Sequence, residues 1–121
     1  MLVFECVDLS KTPFYKDDPE GIWVARNASW FNYHLADKIK QIEMAYPRAT
    51  IVFVKFGNHV DSIFKALPNN EEPFARKSGQ TLEERFTYAF FDDFHLTTQA
   101  HYLLAEMLTE TVKKSFNIGN K

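Results

Sequence analysis

Two acids and a histidine near the C-terminal end of the chain have the residue types and the spacing of an acid–base pair. They lie in the stretch Phe90-Phe91-Asp92-Asp93-Phe94-His95, directly before a long amphipathic segment. Two residues separate Asp92 from His95, and a turn of that length can bring the carboxylate onto one ring nitrogen of the imidazole. The other ring nitrogen is then free to act as a base. Asp92 and His95 therefore supply two thirds of the Ser-His-Asp arrangement used in acyl transfer.

The run from Phe91 to His101, FDDFHLTTQAH, resembles the last block of the GDSL, or SGNH, family of serine ester hydrolases. That block reads Asp-x-x-His, then Pro-Thr, and often ends in a second His. The resemblance implies that Asp92 is the orienting acid and His95 the base of a Ser-Asp-His triad. Leu96 stands where the family usually has Pro. Because Pro is only favoured in the first turn of a helix, Leu can be accommodated there.

The order of the predicted elements extends this resemblance over nearly the whole chain. The run Asp8-Leu9-Ser10-Lys11-Thr12-Pro13 fits the loop that follows the fourth strand of the SGNH fold. The resemblance therefore implies an α/β fold, namely the C-terminal portion of a three-layer α/β/α flavodoxin-like (SGNH hydrolase) domain. Its sheet would be parallel, with few of its strands in this chain, and residues 1–121 would form a single partial domain.

The family's nucleophile and oxyanion-hole blocks have no counterpart in the sequence. None of the serines lies in a Gly-Asp-Ser context; they are Ser10, Ser29, Ser62, Ser78 and Ser115. Gly57-Asn58-His59 follows a predicted strand but lacks the spacing of the family's Gly-x-Asn-Asp block. Without these groups, the reaction loses stabilisation of its transition state worth several kcal/mol for each group. We therefore expect no ester hydrolysis by this chain alone. If a missing half supplies the serine, we expect the completed protein to act on an ester or lipid substrate without a cofactor.

Other interpretations of the same residues remain open at this point. Asp92 and Asp93 can be helix N-terminal acids favoured by the helix dipole, and His95 a solvated loop residue. His101 fits a packing or hydrogen-bonding role in the first helical turn. The four histidines lack the i, i+4 spacing of a helical zinc site and no cysteine joins them, so no metal site is predicted. For the whole chain, the alternative to a hydrolase half is a noncatalytic remnant that acts as an interaction or dimerisation module.

Composition limits the class of protein. The 121 residues are 45% hydrophobic and 25% charged, as in ordinary globular proteins, and allow at most one domain. A formal charge of −2 without a basic run gives no electrostatic footprint for nucleic acid. Cys6 is the only cysteine, and its place in an apolar run predicts a buried thiol. The cellular compartment is not indicated.

The pattern of the chain predicts two strands and three helices. Residues 2–9 form an apolar run typical of a strand buried on both faces, and residues 50–56 are β-branched and aromatic throughout. Between them, a helix capped by Asn27 or Ser29 is predicted to reach Ala45, which makes a right-handed βαβ unit with parallel strands. A short helix capped by the pair Asn58 and Asp61 follows, then a long loop over residues 70–89 with a helical turn at 82–86, and a last helix from Thr97 or Thr98 to Phe116.

Two parallel strands leave both edges of the sheet unpaired. The apolar face of the last helix also needs a sheet to cover. We therefore expect the open sheet edge to be completed by a second copy of the chain or by a complementing chain.

Overall fold

The fold begins with a small parallel sheet. The computed structural model describes residues 1–119, in which β1 (Leu2–Phe4) pairs in parallel with β2 (Val52–Val54) in the register Leu2 to Val52. Because parallel strands need a long crossover, the helix α1 (Gly21–Ala45) lies between them in the chain. The predicted α/β class and the parallel pairing are confirmed.

Both strands are shorter than the sequence predicts. β1 ends at Phe4, whose exposed fraction is 42%, so the first strand is not buried on both faces. Beyond β1 the backbone of Cys6 pairs with the side chain of Asn32 on α1: the Cys6 N–H donates to Asn32 Oδ1 at 2.7 Å, and Asn32 Nδ2 donates to the Cys6 carbonyl at 3.0 Å. These two hydrogen bonds to a helix side chain use the backbone N–H and C=O of Cys6, which a neighbouring strand would otherwise pair with. Cys6 is exposed, so the predicted buried thiol is wrong.

The helix α1 begins earlier than its predicted caps. It starts at Gly21, after Glu20, and neither Asn27 nor Ser29 is its cap. A Cβ at position 21 would lie 2.5 Å from the Tyr15 carbonyl oxygen, so the close approach of the preceding loop requires glycine here. The helix ends at Ala45 as predicted, with Pro47 two residues beyond.

The main core lies between two later helices. The helix α2 (Phe56–Ala66) packs against α4 (Thr98–Phe116), and the segment 89–96 closes the space between them. The fully buried residues of this cluster, which we call the C-terminal core, are Ile63, Leu67, Ala89, Phe90 and Ala100. Thus α4 covers α2 and a loop segment, where the sequence pattern predicts a sheet.

Helix ends agree with the sequence in α4 and disagree in α2. Thr97 caps α4 by accepting from the Ala100 N–H at 3.2 Å, and Lys113 and Lys114 lie in its last turn. α2 begins at Phe56 after Lys55 without a side-chain cap, so the predicted Asn58 and Asp61 cap is wrong. The loop 70–89 contains a helical turn, α3 (Leu82–Arg85), close to its predicted place.

The surface of α1 stays open over most of its length. Its buried residues are Gly21, Ala28 and Ile39, on one side of the helix. Large apolar side chains on its other sides are 51–83% exposed; they are Ile22, Trp23, Trp30, Phe31, Tyr33 and Met44. Within residues 1–119 each of the two strands also has one unpaired edge. The N-terminal part of the fold therefore presents apolar surface that residues 1–119 do not cover.

Candidate active site

The structure places Asp92 and His95 in direct contact. His95 Nδ1 lies 2.9 Å from Asp92 Oδ1 and 2.8 Å from Asp92 Oδ2. An ionised carboxylate only accepts hydrogen bonds, so this contact requires a proton on Nδ1, and in the neutral ring Nε2 then carries the lone pair. The imidazole is 77% exposed and the Asp92 side chain 42% exposed. The pair is a surface acid–base unit with its basic nitrogen accessible.

Backbone amides hold the Asp92 carboxylate in place. Asp92 Oδ1 accepts from the N–H groups of Phe94 at 2.9 Å and His95 at 2.7 Å. These two bonds first, and the His95 ring second, lower the pKa of Asp92 to about 2. Asp92 is therefore ionised at neutral pH and fixes one orientation of the His95 ring.

The loop that carries the pair is bonded to its surroundings on both sides. The Phe91 N–H donates to the His95 carbonyl at 2.8 Å, which closes the loop on itself. The Thr97 N–H donates to the Ala89 carbonyl at 2.9 Å, and Thr97 Oγ1 donates to the Tyr88 carbonyl at 2.7 Å. Because Ala89 belongs to the C-terminal core, these bonds connect the site to the best-packed part of the fold.

Two further contacts fix the outside of the loop. The Phe94 ring packs on Phe14 with ring centroids 4.8 Å apart, and the Phe14 N–H donates to the Asp93 carbonyl at 3.3 Å. Asp93 itself forms an ion pair with Arg76. The two neighbouring acids thus have different partners: Asp92 holds the histidine, and Asp93 holds the loop 70–89.

The structure excludes a helix-terminal role for Asp92 and Asp93 and gives His101 a hydrogen-bonding role. α4 has no acid in its first turn, and Asp92 lies six residues before it, so neither Asp92 nor Asp93 is a helix N-terminal acid. His101 Nδ1 is 3.0 Å from the Thr97 carbonyl oxygen, as expected for a hydrogen-bonding residue of the first helical turn. Phe90 is a core residue with 3% exposure, whereas Phe91 and Phe94 are partly exposed.

A nucleophile is not part of the described site. Within residues 1–119 none of the five serine hydroxyls hydrogen-bonds to His95; Ser62 Oγ, for example, donates to the Asn58 carbonyl on α2. The described residues likewise contain no group of three or more His, Cys, Asp or Glu side chains that could hold a metal ion. The site offers an acid and a base, and lacks the attacking group.

An apolar cavity of about 310 Å³ is lined by Phe91 and Leu96, the residues on either side of the segment 92–95, but by neither Asp92 nor His95. Its apolar walls are Phe74, Leu82, Phe86, Phe91 and Leu96, and its polar lining is Arg85, Thr97, Thr98 and Gln99. A larger open groove of about 810 Å³ runs along α4 and is lined by His59, Tyr102 and Glu106, among others, but by no residue of 89–99. Of these two, only the smaller cavity is lined by residues of the segment 89–99.

The sequence pattern does not predict this cavity. Its outer wall comes from the loop 70–89, where Phe74, Leu82 and Phe86 have no regular spacing. One signal was present: Thr81 and Glu84 form a capping box, each side chain bonding to the other's backbone N–H, which starts α3 and presents Leu82 and Phe86.

Comparison with known proteins identifies no relative of this chain. No family model matches the chain, and no curated protein and no solved structure shows significant similarity to it. A search of the helices in residues 1–119 finds none that is long and apolar enough to cross a membrane.

Proposed function

We propose that this chain is the C-terminal part of an SGNH-type serine ester hydrolase and supplies the acid and the base of a Ser-Asp-His triad. The single observation that supports this most strongly is the bidentate contact of the Asp92 carboxylate with His95 Nδ1 at 2.8–2.9 Å. A three-layer α/β/α flavodoxin-like domain, of which this chain holds the C-terminal half, is part of the same proposal.

The proposed reaction divides the triad between this chain and a missing half. A serine from that half attacks the ester carbonyl while His95 Nε2 takes the hydroxyl proton. His95 then gives this proton to the oxygen of the leaving alcohol, and water attacks the acyl-serine in a second, equivalent cycle. Asp92 holds the ring and stabilises the imidazolium, because its low pKa keeps it ionised. Without the serine the chain alone is inactive on esters.

The open surface of the fold supports the idea of a complementing chain or segment. β1 and β2 each have an unpaired edge, and a neighbouring strand there would satisfy the free N–H and C=O groups. The exposed aromatic residues of α1, such as Trp23 and Trp30, offer apolar area of the kind buried at interfaces. A missing half that adds strands to this sheet would cover the edges and bring a serine to the same molecule.

The same surface favours a second candidate function. A noncatalytic chain that pairs its open strand edges with a second copy would also cover them, as an interaction or dimerisation module. In that case the contact between Asp92 and His95 would only stabilise its loop. Catalysis, and not association, separates the two candidates.

The test is hydrolysis of p-nitrophenyl butyrate by the chain alone and by the chain joined to the protein segment encoded immediately upstream of it. We expect turnover only in the joined protein, together with labelling of one serine by a fluorophosphonate. His95→Ala should lower turnover on the order of a thousandfold, because it removes the general base. Asp93→Asn is the matched control and should change turnover only a few-fold, since Asp93 pairs with Arg76.

Three results would contradict the proposal in whole or in part. Turnover that survives His95→Ala would show that the pair takes no part in the reaction. A joined protein that neither turns over ester nor reacts with the fluorophosphonate, while the chain alone is dimeric by mass in solution, would favour the dimerisation module instead. Turnover by the chain alone that is lost in His95→Ala would place the nucleophile within this chain and would overturn the half-domain interpretation.

A further inference from the structure

We propose that the exposed side of α1 binds α1 of a second copy of this chain, in an antiparallel pair whose register is set by one row of side chains. The row includes neither Asp92 nor His95, so this inference goes beyond the proposed function and does not rest on it. The interface is also separate from the open edges of the sheet.

The row follows the spacing at which residues share one side of a helix. Intervals of three and four residues keep side chains in line along an α-helix. Six residues of α1 are related by successive intervals of this kind: Trp23, Arg26, Trp30, Tyr33, Asp37 and Lys40. All six are exposed, and they lie on the side of the helix opposite to buried Ala28 and Ile39. The row is about 25 Å long and contains both tryptophans of the chain.

The order of residue types in this row is self-complementary. Let a second copy lie antiparallel, with the two-fold axis halfway between positions 31 and 32. The three reciprocal pairs are then Trp23 with Lys40, Arg26 with Asp37, and Trp30 with Tyr33. They are a cation–π pair, an ion pair and an aromatic pair, and each of them occurs twice. A two-fold interface needs this reciprocity, because both copies present the same surface.

The charges of the row select this register over its neighbours. Sliding the second copy by one turn in one direction brings Arg26 against Lys40, which are like charges. Sliding it by one turn in the other direction moves Asp37 away from Arg26 and against Trp23. A parallel arrangement would place each charge against its own counterpart. Like-charge contacts disfavour wrong registers, so the antiparallel arrangement with three complementary pairs is the one expected.

The charged members of the row have capacity for such partners. In the part of the chain that the structure describes, Arg26, Asp37 and Lys40 take part in no ion pair. The Arg26 guanidinium carbon lies 5.4 Å from the centre of the Trp23 ring, and Asp37 Oδ2 accepts from Gln41 Nε2 at 2.8 Å. A guanidinium has five donors and a carboxylate has two oxygens, so both groups can bind a further partner.

The apolar area of the row suits a reversible dimer. Trp23, Trp30 and Tyr33 are 63%, 66% and 73% exposed. Because a fully covered aromatic side chain buries about 150–250 Å², these three together offer roughly 400 Å² on each copy. A standard interface takes about 800 Å² from each partner, so this row with its charged residues lies at the small end of the range. We therefore expect a dimer with a Kd in the micromolar range.

The test uses the chain alone, because a missing half that covered α1 would compete for the same row. Sedimentation velocity and tryptophan fluorescence are measured on the same samples, from about 1 to 200 µM protein. We expect a dimer to form as the concentration rises. The emission should shift to shorter wavelength in parallel, since both tryptophans then leave water.

Two aromatic variants separate the row from the rest of α1. Trp30→Ala should weaken the dimer about a hundredfold, because it removes both copies of the central aromatic pair. Phe31→Ala is the matched control, since Phe31 is 51% exposed on the same helix but lies outside the row. It should leave the dimer unchanged.

Charge exchange tests the register without removing an aromatic ring. Arg26→Asp puts an acid opposite Asp37, and Asp37→Arg puts a base opposite Arg26. Each variant alone should therefore dimerise at least about tenfold more weakly than the wild type. A mixture of the two variants should form a heterodimer of nearly wild-type affinity, because every acid then faces a base in the other chain. The double variant should also recover self-association.

Four outcomes would overturn the proposal. The first is a monomer at every concentration, and the second is equal weakening by Trp30→Ala and Phe31→Ala. The third is a dimer that persists in Trp30→Ala and in both charge variants, which would place the contact at the strand edges instead. The fourth is a mixture of the charge variants that does not associate. The hydrolase proposal is tested by ester turnover of the joined protein, so either proposal can fail without the other.

Discussion

The region around the C-terminal core and the region around α1 differ in how completely they bury their apolar residues. In the first, Ile63, Ala89 and Ala100 are fully buried between α2 and α4. In the second, Trp30 and Met44 on α1 are 66% and 83% exposed. Both regions contain helices with large apolar side chains, but only the C-terminal core buries them within residues 1–119.

This difference indicates which part of the chain can hold functional side chains in a fixed position. The loop that carries Asp92 and His95 is bonded through Thr97 and Ala89 to the buried core, and through Phe14 to the segment that follows β1. Under the hydrolase proposal, the sheet and α1 are the surfaces that a missing half would bind. That half would add the nucleophile to an acid and a base that already contact each other in this chain.

The largest difference in the free energy of unfolding between the two regions should appear when one isoleucine is truncated in each. Ile63→Ala removes a fully buried side chain from the C-terminal core and should lower the free energy of unfolding by about 2–5 kcal/mol. Ile22→Ala, on the exposed side of α1, should change it by no more than about 0.5 kcal/mol. Urea denaturation of the two variants measures both values.

An equal loss in the two isoleucine variants would break the comparison. It would mean that Ile22, 64% exposed in this structure, is covered in solution. If the loss in Ile22→Ala also depended on protein concentration, the cover would be a second copy of the chain.

An intermediate effect is expected at the helix cap that connects the site to the core. Thr97→Ala loses the bond to the Ala100 N–H and leaves the carbonyl of buried Tyr88 without its hydroxyl donor, which should cost about 1–3 kcal/mol. Thr97→Ser keeps both bonds and should restore most of the stability. Thermal or urea unfolding provides the measurement.

Thr81→Ala is the control for this cap. Thr81 caps the four-residue helix α3 on an exposed loop, so its loss should cost about 0.5 kcal/mol, at the low end for such caps. If Thr81→Ala destabilised the protein as much as Thr97→Ala, the loop 70–89 would be as tightly coupled to the core as the site itself.

The smallest effect should be an acid-dependent loss of stability at the site. The folded-state pKa of Asp92 is about 2, below the ordinary value of a carboxyl group. A lowered pKa contributes stability above the ordinary value near 4, and this contribution is lost as the pH falls through about 2. Urea unfolding at pH 5, 3.5 and 2 should therefore show a larger acid-dependent loss for the wild type than for Asp92→Asn. Identical losses in the two proteins would mean that the amide bonds to the Asp92 carboxylate do not persist in solution.

The sequence predicted the parts of the fold that local patterns determine. The end of α1 before Pro47 and the start of α4 at its Thr97 cap follow from short-range signals, and the parallel pairing follows from the strand–helix–strand order. The spacing of Asp92 and His95 predicted their contact because a loop of that length leaves little freedom. Apart from the strand pairing, these predictions rest on residues within a few positions of each other in the chain.

The remaining features depend on contacts between distant segments. The early start of α1 follows from the approach of the Tyr15 carbonyl to Gly21, and the exposed Cys6 from its amide bonds to Asn32. The cavity lined by Phe91 and Leu96 needs the loop 70–89 to fold over the start of α4, which the Arg76 and Asp93 ion pair supports. Such pairings cannot be read from spacing, because they depend on which surfaces meet in the folded chain.

The most direct test of the central claim is ¹⁵N NMR of the His95 ring nitrogens in the wild type and in Asp92→Asn at pH 8. We predict that the wild-type ring carries its proton on Nδ1, bonded to the Asp92 carboxylate, with Nε2 free as a base. Asp92→Asn should shift the ring toward the Nε2–H form that free neutral imidazole side chains prefer. A wild-type ring protonated on Nε2, with the same spectrum as in Asp92→Asn, would contradict the claim that this chain carries a preformed acid–base pair.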